Sequence, residues 1–303
     1  MKIATFQRAG TTNRYRICAV TTDTEVVDLT GLVSDHDLTA DEILGCFDID
    51  SGFYDKAKAA IINGSAAVTL NRDAIALSAP VPRPGKVICI GLNYRDHAAE
   101  SGMEIPKSPI IFSKFSSCVV GPDMAIVIPS GSSQLDYEAE LAFMIGRRAR
   151  NISRQEALDY IFGYTNFNDV SARDFQFADG QWQRGKSCET FAPMGNFVAT
   201  TDEIPDPQDL SIKLRLNGSV MQDSNTCQMI FGVAELVEFL SRYVTLEPGD
   251  VVATGTPPGV GFARKPPVYL KDGDIVEVEI EGLGTLSNSV KRAVSTVGTA
   301  GPK

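Results

Sequence analysis

Two glutamates in the segment LDYEAELAFMIG, residues 135–146, have the types and spacing of a metal site. Glu138 and Glu140 lie two apart in what the apolar residues after them indicate is a strand, so their side chains project from one face. Like charges side by side repel, and a bound cation would remove that repulsion. We therefore expect Glu138→Ala to melt at a higher temperature than the wild type without metal. An exposed acidic strand edge would show the same spacing, so both interpretations stay open here.

A third carboxylate favours the metal interpretation. The segment YIFGYTNFNDVSARDF, residues 160–175, carries an apolar strand to Asp169, and a predicted helix begins at Ser171. An acidic side chain between a buried strand and a helix is a common position for function. Three oxygen ligands that leave coordination positions open suit Mg²⁺ or Mn²⁺, which keep water or substrate oxygens in the remaining positions.

One of the two histidines of the chain lies beside a carboxylate in the segment LNYRDHAAESG, residues 92–102. His97 and Glu100 are three apart in a stretch compatible with a short helix, so the two side chains face one way and can hydrogen-bond. A histidine held in this manner could act as a general base. These residues by themselves, however, favour an ordinary surface histidine.

Composition excludes several classes of partner. The 303 residues carry a formal net charge of −10 and no block rich in Lys or Arg, which argues against nucleic acid and anionic membrane. No apolar run approaches the length of about 20 residues that spans a bilayer, and the first residues lack the apolar block of a secretory signal. We therefore expect a cytoplasmic protein. Its six scattered cysteines form no C-x-x-C pair and are predicted to be reduced, so a metal here is expected to have oxygen ligands.

The chain is predicted to have two domains, residues 1–77 and residues 78–303. The proline-rich segment APVPRPGK, residues 79–86, is typical of a linker. In the first domain RYRICAV and TEVVDL alternate as strands, and two short helices follow. The first of these helices begins with Thr39 and Glu42, the spacing of a capping box.

The second domain is predicted to be mostly strand. Hairpin turns are indicated at Asn217–Gly218 and at Asp272–Gly273. Two helices are predicted, over residues 153–162, where Ser153 and Glu156 have capping-box spacing, and over residues 229–244, which carry an apolar stripe.

Six segments of this chain, in this order, resemble those of the fumarylacetoacetate hydrolase family. The resemblance covers about residues 80–290. It implies an α+β fold, with a β-rich rolled mixed sheet and a small N-terminal α/β domain, and a homodimer. The segments are GLNYRDHAAESG, LDYEAELAFMIG, GYTNFNDVSARDFQ, GKSCETFAPMG, TGTPPGVG and GLGTLSN.

The same resemblance implies a role for each candidate site residue. The metal is Mg²⁺, with Mn²⁺ or Ca²⁺ able to replace it, and its ligands are Glu138, Glu140 and Asp169. The catalytic residues are His97 as base, Glu100 as its partner and Lys186 as oxyanion donor, and the candidate substrate contacts are Thr256, Gln176 and Lys114. A solvated loop lysine is the alternative for Lys186. Asn93 stands where some members have a further acidic ligand, so we expect a water there.

The implied activity is Mg²⁺-dependent hydrolysis of a carbon–carbon bond in an acylpyruvate-like 2,4-dioxo acid, a ketonic substrate. The metal would stabilise an enolate at C3 while a base delivers water to the C4 carbonyl. The alternative is an oxaloacetate decarboxylase, or an isomerase of 2-hydroxymuconate or heptadiene-dioate type, that uses the same enolate without hydrolytic water. A non-catalytic binding protein is the third interpretation. In every enzymatic case the partner is a small 2-oxo acid.

Overall fold

The computed structural model describes residues 1–64 and 68–293. Residues 65–67 of the predicted first domain and residues 294–303 of the predicted second domain lie outside the described part. Within it, no helix is long and apolar enough to cross a membrane.

The first part of the chain contains the predicted strands and helices. The capping box is present, because Thr39 accepts from the backbone of Glu42 and the Glu42 side chain binds the backbone of Thr39. The elements are β1 (Lys2–Gln7), β2 (Arg16–Val20), β3 (Glu25–Asp28), α1 (Ala40–Cys46), α2 (Phe53–Asn63), β4 (Thr69–Asn71) and β5 (Ala76–Ser78).

The second part is mostly strand, as predicted. Its elements are β6 (Val87–Gly91), α3 (Arg95–Ser101), β7 (Ile110–Lys114), β8 (Val119–Val120), β9 (Ile126–Ile128), β10 (Leu135–Asp136), β11 (Ala139–Ile145), β12 (Ile161–Asn168), β13 (Ser171–Ala172), α4 (Arg173–Gln176), α5 (Gln183–Lys186), β14 (Ala192–Pro193), β15 (Val198–Thr200), β16 (Ser211–Leu216), β17 (Ser219–Asn225), α6 (Val233–Tyr243), β18 (Val251–Ala253), β19 (Ile275–Ile280) and β20 (Gly284–Arg292). The hairpin turn predicted at Asn217–Gly218 joins the paired strands β16 and β17. The turn predicted at Asp272–Gly273 precedes β19 instead, and β19 pairs with β20 across residues 281–283.

The strands form a mixed sheet system, which confirms the predicted α+β, β-rich fold. The main sheet has eleven strands in the order β4-β3-β2-β1-β15-β12-β11-β18-β6-β7, with β5 paired to β1. A second sheet has five strands in the order β17-β16-β19-β20-β9. Most pairs are antiparallel, whereas β18 with β6 and β20 with β9 are parallel. Strands β11 and β12 are buried along their whole length near the middle of the main sheet.

The strands of the first part extend the same sheet. β1 pairs with β15 at Lys2 and Ile3, so the N-terminal strands are hydrogen-bonded to the part of the sheet that holds β12 and β11. The predicted linker, residues 79–86, lies between β5 and β6, whereas the predicted boundary after residue 77 falls within β5. The division into two domains stays a prediction.

The helix predicted over residues 153–162 is wrong. Only Ala157–Tyr160 form one 3₁₀ turn, and Ile161 already begins β12. The Ser153 hydroxyl donates to the Glu156 carboxylate at 2.6 Å, and the 3₁₀ turn has no side-chain cap. The apolar residues that follow are buried by pairing with β11, so burial in the sheet decides the conformation over helix propensity.

Candidate metal centre and active site

The pairing of β11 with β12 brings the three predicted metal ligands together. Ala139 is opposite Asn168, and one step further the Asp169 N–H donates to the Glu138 carbonyl at 2.9 Å. One oxygen from each of Glu138, Glu140 and Asp169 lies within 4.8 Å of the other two. Their relative exposures are 7%, 1% and 0%, so the interpretation as an exposed acidic strand edge is wrong.

Three buried cations surround these carboxylates. Lys186 Nζ lies 2.7 Å from Glu138 Oε2 and 2.8 Å from Asp169 Oδ2. Arg173 Nη2 donates to Glu138 Oε1 at 2.5 Å, and Lys114 Nζ lies 2.5 Å from Asp169 Oδ1. All three cations are buried, so Lys186 is not a solvated loop lysine. The structure thus brings both predicted lysines, Lys186 and Lys114, onto the predicted ligands.

The two glutamates differ sharply in electrostatic environment. Burial alone would raise the pKa of Glu138, but the charges of Lys186 and Arg173 outweigh it and hold that pKa well below its ordinary range. Burial, together with the charges of Asp169 and Glu138, raises the pKa of Glu140 well above its ordinary value. The Gly255 N–H at 2.9 Å and the charge of Lys186 lower this pKa by less than those causes raise it. The repulsion inferred from spacing is therefore concentrated on Glu140.

The carboxylates fit a divalent ion with oxygen ligands. Oδ1 of Asp169 is a buried atom without a hydrogen-bond partner, because Lys114 lies close to it in a geometry that forms no hydrogen bond. Ligand oxygens around Mg²⁺ lie about 3.0 Å apart when adjacent and about 4.2 Å when opposite, from Mg–O distances of about 2.1 Å. The three oxygens, each within 4.8 Å of the other two, are near enough for side-chain adjustment to bring them onto one ion. A positive ion would also remove the cost of ionising Glu140.

Two residues of this cluster were missed by the sequence analysis. Asp136 is fully buried, accepts from Arg173 Nε at 2.9 Å, and also accepts from the N–H groups of Gly261 and Phe262 at 2.7 and 3.1 Å. Arg173 thus joins Asp136 to Glu138. The signal for Asp136 was present, because it precedes Glu138 by the same two-residue step that separates Glu138 from Glu140.

The predicted His97–Glu100 pair is formed within α3. His97 Nδ1 lies 3.3 Å from Glu100 Oε2, and both Glu100 oxygens accept from the Gly259 N–H at 3.1 Å. His97 is only 8% exposed, so it is not an ordinary surface histidine. The carboxylate engages Nδ1, which leaves Nε2 as the ring nitrogen for proton transfer.

The loop of residues 254–259 links the histidine helix to the carboxylates. Gly255 donates to Glu140, and Gly259 donates to Glu100. Gly255 has φ +99°, and a Cβ there would lie 2.7 Å from the Asn93 Cβ, so this position requires glycine. This one loop thus binds both Glu140 of the carboxylate cluster and Glu100 of the histidine pair.

The fully buried side chain of Asn93 fixes this loop. Its amide donates to the carbonyls of Thr254 at 2.7 Å and Phe231 at 3.0 Å, and its oxygen accepts from the Phe231 N–H at 2.8 Å. The Asn93 side chain is therefore occupied by hydrogen bonds to the backbone. The water expected in place of a fourth protein ligand stays a prediction.

Thr256 and Gln176 lie in the framework around the cluster. The Thr256 hydroxyl donates to the Ala139 carbonyl at 2.9 Å and accepts from Gln222 at 2.9 Å. The Gln176 side-chain oxygen accepts from Arg173 at 2.9 Å. Their predicted substrate contacts stay predictions, and so does that of Lys114.

Three buried carboxylates that could hold an ion thus lie at the paired ends of two central strands of a mixed sheet. Residues 86–291 match the fumarylacetoacetate (FAA) hydrolase C-terminal family. The chain belongs to this family of enzymes, which confirms the resemblance found in the motifs.

Individual relatives give further detail. The chain is 52% identical over 223 residues to "Oxaloacetate tautomerase fahd2, mitochondrial" of Xenopus laevis, covering 73% of this chain and 70% of that protein. A solved fumarylacetoacetate hydrolase from Exiguobacterium antarcticum is 39% identical with a TM-score of 0.83, covering 97% of this chain and all of that one. Maleylpyruvate hydrolase from Sphingobium sp. SYK-6, solved with manganese(II) and pyruvate, is 29% identical with a TM-score of 0.80 at the same coverage.

The opposite pKa shifts predict that Glu140→Gln stabilises the protein in EDTA. The pKa of Glu140 is raised above 4.5, so protonation of Glu140 stabilises the fold at and below that pH. This contribution is lost as the pH rises through the folded-state pKa. The variant should therefore melt about 2 °C or more above wild type at neutral pH, by a margin that grows as the pH rises above the ordinary pKa of a glutamate.

Glu138→Gln is the matched control. It should melt about 5 °C or more below wild type in EDTA, because Lys186 and Arg173 lose a buried partner. The stabilisation expected of Glu138→Ala from spacing alone is thus reassigned to Glu140. Scanning calorimetry measures both variants, and a higher melting temperature for Glu138→Gln would contradict this assignment.

The other histidine supplies a control for catalysis. The His36 side chain is 66% exposed and its Nδ1 lies 2.8 Å from the Ser34 hydroxyl. His36→Ala is expected to keep turnover within about threefold of wild type, the scale of a surface change. A hundredfold loss in a steady-state assay would mean that the active site includes this loop.

Proposed function

We propose that this chain is a metal-dependent enzyme that interconverts the enol and keto forms of oxaloacetate. The observation that carries the proposal is the cluster of three buried carboxylates within 4.8 Å, flanked by Lys186 and Arg173. The relative named oxaloacetate tautomerase, at 52% identity, supports this substrate. Oxaloacetate chemistry, the predicted alternative to carbon–carbon hydrolysis, therefore takes first place.

The reaction moves one proton and needs no co-substrate. In the keto-forming direction a proton leaves the C2 hydroxyl and a proton is added at C3, and the enolate is the species between the two steps. A divalent ion, when bound, supplies stabilisation of the negative charge on the 2-oxo oxygen. Mg²⁺ is the proposed ion, with Mn²⁺ or Ca²⁺ as substitutes, and the similar structure that contains manganese supports this ion type.

The chain's own residues bind the substrate and move the proton. Lys186 and Arg173 provide fixed positive charge for a dianionic acid. His97 accepts and returns the proton at C3 through Nε2, while Glu100 holds Nδ1 and is itself held by Gly259. Burial of the cluster excludes water from the charges that act on the substrate.

Hydrolysis of an acylpyruvate is the second candidate. It uses the same enolate as leaving group, and the His97–Glu100 pair can activate the water that attacks the C4 carbonyl. The similar maleylpyruvate hydrolase, solved with pyruvate, favours this candidate. Decarboxylation of oxaloacetate and isomerisation of a muconate-type dioate also pass through such an enolate. A homodimer in the cytoplasm is proposed as the working form, although the Xenopus relative is named as mitochondrial.

A substrate panel tests this ranking. Purified protein with Mg²⁺ is given enol-oxaloacetate, an acylpyruvate and a hydroxymuconate-type dioate. Loss of enol absorbance, release of CO₂ and release of pyruvate are followed separately. We expect enol-oxaloacetate to give the highest kcat/KM. A higher kcat/KM for acylpyruvate cleavage would place the hydrolase first.

A further inference from the structure

We infer that Lys186 lowers the affinity of the carboxylate cluster for a divalent ion, so that the ion and an anionic substrate bind cooperatively. The inference rests on the proposed function, since the anion is its 2-oxo acid. In this inference the lysine competes with the ion for the carboxylate oxygens, a role distinct from donating to an oxyanion.

The first support is that the ammonium group binds oxygens of two of the three carboxylates. Lys186 Nζ lies 2.7 Å from Glu138 Oε2 and 2.8 Å from Asp169 Oδ2. The other oxygen of Glu138 is bound by Arg173. An entering ion therefore meets carboxylates whose lone pairs already accept from cations, and the ion must share or displace these contacts.

The second support is that Lys186 is held in place. A Cβ on Gly185 would lie 2.5 Å from the Gln176 nitrogen, so α5 packs against α4 as closely as backbone allows. On another side the Lys186 ammonium lies 4.9 Å from the centre of the Phe112 ring. The buried side chain therefore cannot move into solvent when an ion arrives without breaking this packing.

The third support is the balance of buried charge around the site. The carboxylates are Asp136, Glu138, Glu140 and Asp169, and the cations are Lys114, Arg173 and Lys186. With a divalent ion bound and all four carboxylates ionised, four negative charges, three positive charges and the ion sum to +1. Without the Lys186 charge the same sum is 0. The lysine therefore leaves an excess of positive charge after the ion binds, and a dianionic acid supplies the compensating charge.

The experiment measures metal binding rather than turnover. Chelator-treated wild type, Lys186→Met and the control Arg184→Met are titrated with Mn²⁺ by calorimetry, with and without oxalate as the probe anion. Arg184 lies two residues away and is exposed beside Asp179. We expect Lys186→Met to bind Mn²⁺ at least about tenfold more tightly than wild type, and Arg184→Met to remain within about threefold. Oxalate should tighten Mn²⁺ binding at least about tenfold in wild type and less in Lys186→Met.

The outcomes separate this inference from the proposed function. Equal or weaker Mn²⁺ binding by Lys186→Met overturns the inference, because the lysine then supports the ion, and leaves the proposed function standing. Failure of wild type to bind Mn²⁺ even with oxalate overturns the proposed function as well. A second experiment adds the variant Lys186→Gln and measures the rise in melting temperature when Mn²⁺ is added. That rise should be larger in both lysine variants than in wild type, and a smaller rise in both overturns the inference.

Discussion

Asp169→Asn is expected to lower oxaloacetate tautomerisation at least about 10³-fold, a loss of about 4 kcal/mol of transition-state stabilisation. Asp169 directly follows β12 and offers a buried oxygen that has no hydrogen-bond partner. The amide keeps the size of the side chain but removes the charge that a divalent ion needs. Steady-state rates measure the loss, and calorimetry with Mn²⁺ should show weaker binding in the same variant.

Asp179→Asn is the matched control for this prediction. Asp179 is exposed and pairs at 3.4 Å with Arg184, outside the cluster. Its variant should keep turnover within about threefold. If Asp169→Asn kept the wild-type rate measured with Mg²⁺, the three carboxylates would be structural and the reaction would not use an ion at this place.

His97→Ala is expected to lower both tautomerisation and any acylpyruvate hydrolysis by about 10²–10⁴-fold, the usual contribution of a general base. Both reactions require a proton to be moved, onto C3 of the enol in tautomerisation and away from water in hydrolysis. Decarboxylation of oxaloacetate requires only a stabilised enolate, so it should survive within about tenfold. Parallel assays of enol loss, pyruvate release and CO₂ release separate these outcomes.

Glu100→Gln should change the rates in the same direction as His97→Ala but by less. Its side-chain oxygen can still accept from Gly259 and hold the ring, whereas the negative charge that faces His97 Nδ1 is lost. His36→Ala serves as the histidine control. A His97→Ala protein that works at the wild-type rate would show that this histidine is structural.

The positions of the three carboxylates could be predicted from local sequence, because they depend on two adjacent strands. The two-residue step from Glu138 to Glu140 and the end of β12 at Asp169 are local features, and antiparallel pairing brings them together. The helix α6 could likewise be predicted, since the apolar residues of an eleven-residue helix with one buried face recur with the helical period.

The difference between the two glutamates could not be predicted, because it comes from residues distant in the chain. Spacing treats Glu138 and Glu140 alike, but Arg173 and Lys186 both bind Glu138, whereas Glu140 receives one backbone N–H from Gly255. These partners belong to different elements, so only the packed structure decides which carboxylate carries the unrelieved charge.

The wrong helix at residues 153–162 has a related cause. Capping-box spacing at Ser153 and Glu156 is a local signal, and it competes with the burial of Ile161 and Phe162 in a sheet built with residues far along the chain. The long-range packing dominates. Thr256 illustrates the same limit within the site, because its hydroxyl is bound to the Ala139 carbonyl, a contact that no spacing in the sequence indicates.

The central claim is that the cluster of Glu138, Glu140 and Asp169 holds an ion that makes enol chemistry possible. The most direct test follows the decay of enol-oxaloacetate absorbance with chelator-treated protein, before and after Mg²⁺ is restored, against the uncatalysed decay under each condition. We predict no acceleration above the uncatalysed rate in EDTA and full recovery when Mg²⁺ is added in excess. An undiminished rate in EDTA, or the same Mg²⁺-dependent acceleration by Asp169→Asn, would contradict the account.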